Sequence, residues 1–158
     1  MQADLYDVCV AGSGSSGLAA AALLAGAGFR VAVVAPASRT ADTRTVALMQ
    51  PTVRLLKYLD LWPKIAREAE PLVRLRIVDD TGGFLSAPTL QFASTELGLD
   101  AFGWNLPLAV LETALRELCS GLGVAFRTAA CTGARLEPES MTLFLDDGAT
   151  LAAGSPSP

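Results

Sequence analysis

Leu5-Tyr6-Asp7-Val8-Cys9-Val10-Ala11 runs directly into Gly12-Ser13-Gly14-Ser15-Ser16-Gly17, and the residues that follow, Leu18 to Gly28, are Ala and Leu almost throughout. A short β-branched apolar run that stops at a glycine cluster reads as a strand entering a tight turn. Ala and Leu are strong helix formers, and Gly26 and Gly28 supply the stop. Arg30-Val31-Ala32-Val33-Val34-Ala35 is a second strand with apolar residues on both faces, as expected when a sheet is covered by helices on each side. Strand, turn, helix and strand together predict a right-handed βαβ unit on a parallel sheet, and the fold class is α/β, Rossmann-like.

The spacing Gly12-x-Gly14-x-x-Gly17 gives each glycine a task in that unit. Gly12 makes the sharp turn out of the strand, Gly14 lets a pyrophosphate approach the backbone, and Gly17 lets the helix pack close to the sheet. The helix N-terminus presents free N–H groups and partial positive charge to phosphate oxygens, and Ser13, Ser15 and Ser16 add hydroxyl donors. The pattern therefore predicts a dinucleotide, FAD or NAD(P). The alternative is a glycine-rich turn with no ligand. A dinucleotide fingerprint next expects an acid at the end of the second strand, where a carboxylate holds the adenosine ribose. Ala35-Pro36 stands there instead, which leaves Ser38, Asp42 and Arg44 in the following loop as further contacts for the adenosine half.

Outward from this unit, Thr45–Tyr58 reads as an amphipathic helix with Val46, Met49, Val53 and Leu56, and Leu59 just beyond it, on one face. Leu61-Trp62-Pro63 breaks it, and a helical turn follows through Ala69. Leu72–Val78 alternates in part as a strand, and Asp80-Thr81-Gly82-Gly83 is turn chemistry. A strand is expected near Phe102-Gly103-Trp104-Asn105, and Pro107 suits the first position of a helix to Gly121 whose stripe is Leu108, Leu111, Leu115 and Leu118. The last third predicts β-structure at Val124–Arg127, Thr132–Leu136 and Met141–Leu145, with turns at Glu137–Ser140 and Asp146–Gly148. Gly154–Pro158 is expected to fray. No internal repeat or linker divides the chain, so residues 1–158 are read as a single domain.

With 158 residues, one domain is the expectation, and 51% hydrophobic against 18% charged residues argues for a packed interior rather than a disordered tail. A net charge of −4 gives no electrostatic reason for a nucleic-acid partner. Histidine is absent altogether, so no Ser-His-Asp triad, Cys-His pair or histidine metal site exists in the chain, and no metal is expected. The three cysteines, Cys9, Cys119 and Cys131, fit neither a disulfide framework nor C-x-x-C, and read as core or near-core residues in a reducing cytoplasm. Gly17–Ala35 is broken by Arg30 and falls short of the ~20 apolar residues of a bilayer span. Asp4 and Asp7 stand where a signal peptide needs cations.

At Asp42-Thr43-Arg44-Thr45-Val46-Ala47-Leu48, followed by Val53-Arg54-Leu55-Leu56-Lys57-Tyr58-Leu59-Asp60-Leu61-Trp62, the chain resembles the ubiquinone-biosynthesis hydroxylase family of FAD-dependent aromatic monooxygenases. Phe102-Gly103-Trp104-Asn105-Leu106-Pro107 is similar to the family's segment before its next long helix, and Leu143–Leu151 to the hairpin upstream of its second flavin motif. The resemblance implies that Gly12, Gly14 and Gly17 hold the FAD pyrophosphate, that Ala35 and Pro36 lie at the adenosine end, and that Arg44 contacts the cofactor. It implies a cytoplasmic oxidoreductase in which NAD(P)H reduces the flavin and O2 hydroxylates an aromatic, polyprenylated small molecule, with peripheral membrane association. The cofactor carries that chemistry, so no catalytic side chain is named. Trp104 and Phe102 are candidates for a substrate face.

Two departures from the family shape the expectation. Members commonly carry an acid at the position of Pro36, and they continue past the hairpin into an Ala-Asp-Gly and then a Gly-Asp flavin motif, where this sequence reads Gly154-Ser155-Pro156-Ser157-Pro158. The expectation is an FAD-binding domain truncated before the second and third flavin motifs, with an unpaired apolar sheet edge through which it self-associates. Two alternatives stay open. One is a catalytically inactive dinucleotide-binding fragment. The other is a small NAD(P)-binding protein, for which the missing acid suits a 2′-phosphate, with Arg39 and Arg44 as the nearby cations.

Overall fold

The computed structural model describes residues 5–37, 43–80 and 88–154. The strands and helices of the first half are β1 (Leu5–Tyr6), β2 (Val8–Ala11), α1 (Ser15–Gly26), β3 (Val31–Ala35), β4 (Thr45–Met49), α2 (Gln50–Tyr58), α3 (Trp62–Ile65), β5 (Glu70–Leu72) and β6 (Arg74–Ile77). Those of the second half are β7 (Leu90–Ala93), β8 (Gly103–Pro107), α4 (Leu108–Gly121), β9 (Ala125–Thr128), β10 (Cys131–Leu136), β11 (Ser140–Leu145) and β12 (Thr150–Gly154). The fold is mixed α/β, with parallel and antiparallel sheets, and its residues gather into two compact units, Met1–Asp42 with Leu111–Pro158, and Thr43–Val110.

In the first unit a parallel sheet has the order β2-β3-β9, with Val10 opposite Val33 and Val33 opposite Phe126. Val31 to Val34 of the central strand are all buried, which is why that strand reads as an unbroken apolar run. Leu18, Ala21 and Ala22 bury one side of α1, and α1 packs on β2 and β3. Leu111, Leu115 and Cys119 bury one side of α4, and the Cys119 thiol donates to the Leu18 carbonyl at 3.2 Å, joining the two helices. Leu118, expected in that stripe, is only half-buried because the helix presents Cys119 inward instead.

The second sheet of this unit has the order β1-β12-β11-β10, with β1 parallel to β12 and two antiparallel hairpin pairings beyond it. The single strand expected over Leu5–Ala11 is thus divided between two sheets at Asp7. Its carboxylate accepts from the Arg30 backbone N–H at 2.7 Å and from the Arg30 guanidinium at 2.9 Å, while the Asp7 and Val8 amides both donate to the Arg30 carbonyl. This local bonding takes the place of a ladder rung and lets the chain change partners. Val34, Ala129, Leu145 and Leu151 form a buried cluster at this end, with Tyr6 and Cys9 against it. Gly154 pairs with Ser140, so the ladder takes in the first residue of the expected frayed tail, and Ser155–Pro158 lie outside the described residues. Cys131, expected near the core, is exposed at the start of an outer strand.

The second unit corrects one element in particular. Thr45–Tyr58 is not one helix: Thr45–Met49 forms β4, antiparallel to β8 with Leu48 opposite Trp104, and the helix begins only at Gln50. Pro51 fits the first turn of a helix but not its interior, and the preceding residues gain a full ladder instead. Gly103 permits that ladder, since a Cβ there would stand 2.5 Å from the Leu48 carbonyl oxygen. Val53 and Leu56 are the buried side of α2, whereas Met49, expected on the same face, is exposed. Pro107 ends β8 opposite Thr45 and α4 starts one residue later. Trp104 packs edge-on against Trp62 with ring centroids 5.3 Å apart.

Leu72–Val78, expected as one strand, is interrupted at Val73, whose carbonyl accepts from the Ser94 amide, so that β5 joins β8 and β6 pairs with β7. The turn expected at Asp80–Gly83 falls mostly outside the described residues, as do Ser38, Arg39 and Asp42. Among the described residues no helix is long and apolar enough to cross a membrane.

Candidate functional site

The glycine turn leaves β2 at Ala11. Gly12 has φ +120, a conformation open to glycine and strained for other residues, and its amide donates to the Val34 carbonyl at 2.8 Å. Gly14 is the N-cap of α1 with extended backbone, and its carbonyl accepts from the Leu18 amide at 2.9 Å. Ser15 and Ser16 occupy the first turn. No side chain caps this N-terminus and no acid lies in its first turn, so its N–H groups and positive dipole end are available to an anionic oxygen.

The three glycines differ in what surrounds them. A Cβ on Gly17 would overlap the Gly12 carbonyl oxygen and press on the Val10 side chain at 3.4 Å, so close packing of turn, strand and helix depends on its absence. A Cβ on Gly14 would meet only the Glu112 carboxylate, at 3.8 Å, leaving the backbone there open to a ligand. Glu112, from α4, was not singled out by the sequence. It joins the site through tertiary packing across about a hundred residues, for which one sequence carries no local signal.

Beside the turn, a cavity of about 280 Å³ opens at the carboxyl ends of β3 and β9. Its walls include Ser13 from the turn, Ala35 and Pro36 from the end of β3, and Arg116, Arg127 and Thr128 from α4 and β9. Crevices at the carboxyl ends of parallel strands are where open α/β sheets bind ligands. The volume lies just below the ~300–1,000 Å³ of a complete small-molecule site, which suits one nucleoside end of a dinucleotide. The Arg116 guanidinium lies 4.9 Å from the Phe126 ring centre, and Arg127 is ion-paired with Asp147. Hydrogen bonding from the Ala149 amide, with the Arg127 guanidinium in addition, holds the Asp147 carboxyl below the usual carboxylate range.

The fold therefore gathers Gly12, Ser13, Gly14, Ser15, Ser16, Gly17, Ala35 and Pro36 in one unit around the turn and its cavity. Arg44 belongs to the second unit, exposed just ahead of β4, with its carbonyl accepting from the Leu108 amide at 2.9 Å. The open helix N-terminus, the uncrowded Gly14 backbone and the adjacent cavity fit a pyrophosphate with an adenosine end.

Comparison with known proteins agrees with that geometry. In fold, the chain is similar to OxyS anhydrotetracycline hydroxylase from Streptomyces rimosus, at 22% identity and a TM-score of 0.77, with 95% of this chain and 30% of that chain covered. It is similar to p-nitrophenol 4-monooxygenase PnpA from Pseudomonas putida DLL-E4, at 23% identity and TM-score 0.75, with 95% and 39% covered. The flavin-dependent monooxygenase PieE, solved with FAD and substrate, aligns at 20% identity and TM-score 0.74, with 98% and 30% covered. This chain thus spans less than half the length of each of these relatives. No curated protein sequence matches it. The pattern of the family described as FAD binding domain matches residues 5–137, from β1 through the glycine turn and the cavity to the first outer hairpin. The chain belongs to the FAD binding domain family, and FAD is its cofactor.

Proposed function

We propose that this chain is the FAD-binding portion of a flavoprotein monooxygenase that hydroxylates an electron-rich aromatic ring with NAD(P)H and O2. The observation that carries the reading is the uncapped N-terminus of α1 behind Gly12-x-Gly14-x-x-Gly17, opening beside the cavity at the ends of β3 and β9. In support, the similar structures include hydroxylases and monooxygenases, one of them holding FAD. A polyprenylated, ubiquinone-type phenol is the substrate favoured by the resemblance around Arg44 and Trp62, and cytoplasmic location with peripheral membrane contact follows from that substrate.

In this reading the amides of Gly14 to Gly17 hold the pyrophosphate, with the hydroxyls of Ser13, Ser15 and Ser16 beside them. Ala35 and Pro36 form an apolar wall for the adenosine, and Arg44 contacts the cofactor. Bound FAD supplies the electron transfer and oxygen chemistry. The protein's part is position and exclusion of water. The whole of residues 1–158 acts as one FAD-binding domain, and it self-associates through an unpaired apolar sheet edge.

The test is the visible absorption spectrum of the purified chain after incubation with FAD and desalting. Retained flavin absorbance that Gly14→Val loses supports the site, and a colourless protein overturns it. A second reading, a dinucleotide-binding module without catalysis, is favoured by Ala35-Pro36 standing where a ribose-binding acid is expected. NADPH oxidation by the FAD-loaded chain separates the two, since the module binds flavin and oxidises nothing.

A further inference from the structure

The cavity beside Ser13 is lined by cations where a dinucleotide slot usually offers an acid. In the common arrangement a carboxylate at the end of the second strand accepts from the adenosine ribose hydroxyls, and it repels any phosphate placed on that ribose; an arginine nearby accommodates such a phosphate instead. Here the end of β3 is Ala35-Pro36, and among the described residues no carboxylate lines the cavity. Two guanidiniums are, from Arg116 and Arg127, together with the hydroxyls of Ser13 and Thr128.

These cations come from α4 and β9, some eighty to ninety residues beyond the end of β3. The Arg116 guanidinium is placed over the Phe126 ring, 4.9 Å from its centre, which gives an exposed cation a defined position at the cavity wall. Arg127 is held by Asp147 in an exposed pair, the kind of contact a doubly charged phosphate competes with effectively. A planar guanidinium offers paired N–H donors that match phosphate oxygens. The local positive charge stands against a chain whose net charge is −4, so it is not a general property of the surface.

We infer that this cavity takes a ribose-phosphorylated adenosine, with Arg116 as the residue that sets the preference and Arg127 assisting. The inference rests on reading Gly12–Gly17 as a dinucleotide turn, and it adds that a phosphoadenosine nucleotide competes with FAD for the same slot. Two sources share the chemistry: a 2′-phosphate, as on the adenosine of NADP(H), and a 3′-phosphate, as on the adenosine of coenzyme A.

The experiment is isothermal titration of the full chain, freed of nucleotide, with adenosine 2′,5′-bisphosphate, adenosine 3′,5′-bisphosphate and 5′-ADP. One of the two bisphosphates is expected to bind at least about ten-fold more tightly than 5′-ADP, and which one identifies the source. Arg116→Gln should remove the preference, Arg116→Lys should keep part of it, and added salt should shrink it. Arg116 is exposed, so both variants should melt as the parent does. The inference is overturned if 5′-ADP binds as tightly as both bisphosphates, or if the preference survives Arg116→Gln. Flavin retention is scored on the same preparation. FAD retained without a bisphosphate preference removes this inference alone; a preference without FAD retention removes the flavin reading alone; a chain that binds none of these nucleotides loses both.

Discussion

The parallel sheet β2-β3-β9 and the ribbon β6-β7 are made of similar residues put to opposite use. On the central strand of the sheet, Val31 to Val34 are each at most 2% exposed. On the ribbon, Leu75 is opposite Phe92 and Ile77 opposite Leu90, so all four share one face, and they are 40 to 51% exposed. Arg74 and Arg76 alternate with them onto the other face. The ribbon therefore has the clean period of a half-buried strand without the burial. Apolar composition specifies that a face wants covering, and the topology decides whether anything covers it. A two-stranded ribbon is at best marginally stable in water by itself, whereas the sheet carries its own helix cover in α1.

The largest expected effect is on the covered side. Leu18→Ala, at a residue with no exposed surface, should cost about 2–5 kcal/mol, while Leu75→Ala, half exposed, should stay within about 1 kcal/mol. Chemical denaturation of the two variants checks this, and equal losses would break the contrast between sheet and ribbon. Within the glycine turn the same contrast recurs on a smaller scale. Gly17→Ala should cost about 1–3 kcal/mol through overlap with the Gly12 carbonyl. Gly14→Val has room for its Cβ and should melt close to the parent while losing flavin retention, so stability and binding separate at two positions of one motif.

The ribbon face gives a further test. If self-association uses it, Leu75→Lys with Phe92→Glu, opposite charges at directly opposed positions, should lower the mass measured by light scattering with little change in the melt, because both residues are already exposed. A parent chain that is monomeric throughout would remove the expectation. The smallest effect concerns the bend between β1 and β2. The Arg30 side chain and then its backbone N–H hold the Asp7 carboxyl below the usual carboxylate range. A lowered folded value means that the contribution is fully present above the unfolded value and fades as pH falls through that value toward the folded one. Arg30→Gln should therefore lower the urea midpoint slightly at neutral pH, and the gap to the parent should close as pH falls below the ordinary carboxylate range and Asp7 protonates. A gap that stays constant with pH would show that the guanidinium acts by packing alone.

How far local sequence reaches is visible in the same elements. The βαβ unit was readable because each of its parts is specified within a few residues: the apolar run of Val31 to Val34, the helix-forming alanines, the glycine spacing. β4 was not, because the apolar spacing of Val46, Met49, Val53 and Leu56 runs at a helical period across Gln50-Pro51, and pairing with β8, permitted by the bare backbone of Gly103, makes Thr45–Met49 a strand. The division at Asp7 was hidden for a similar reason, since Arg30 lies beyond α1. β12, which lies between β1 and β11, and the ribbon strand β7 carry weak local patterns and owe their form to their partners.

By itself, then, the sequence determined the α/β class and the glycine turn, because backbone freedom at Gly12 and close approach at Gly17 are properties of the residues themselves. Only the tertiary structure decided what stands around the cavity beside that turn. Arg116, Phe126 and Arg127 reach that cavity because a third parallel strand and the helix before it pack beside β3, an arrangement set by burial of apolar faces far apart in the chain.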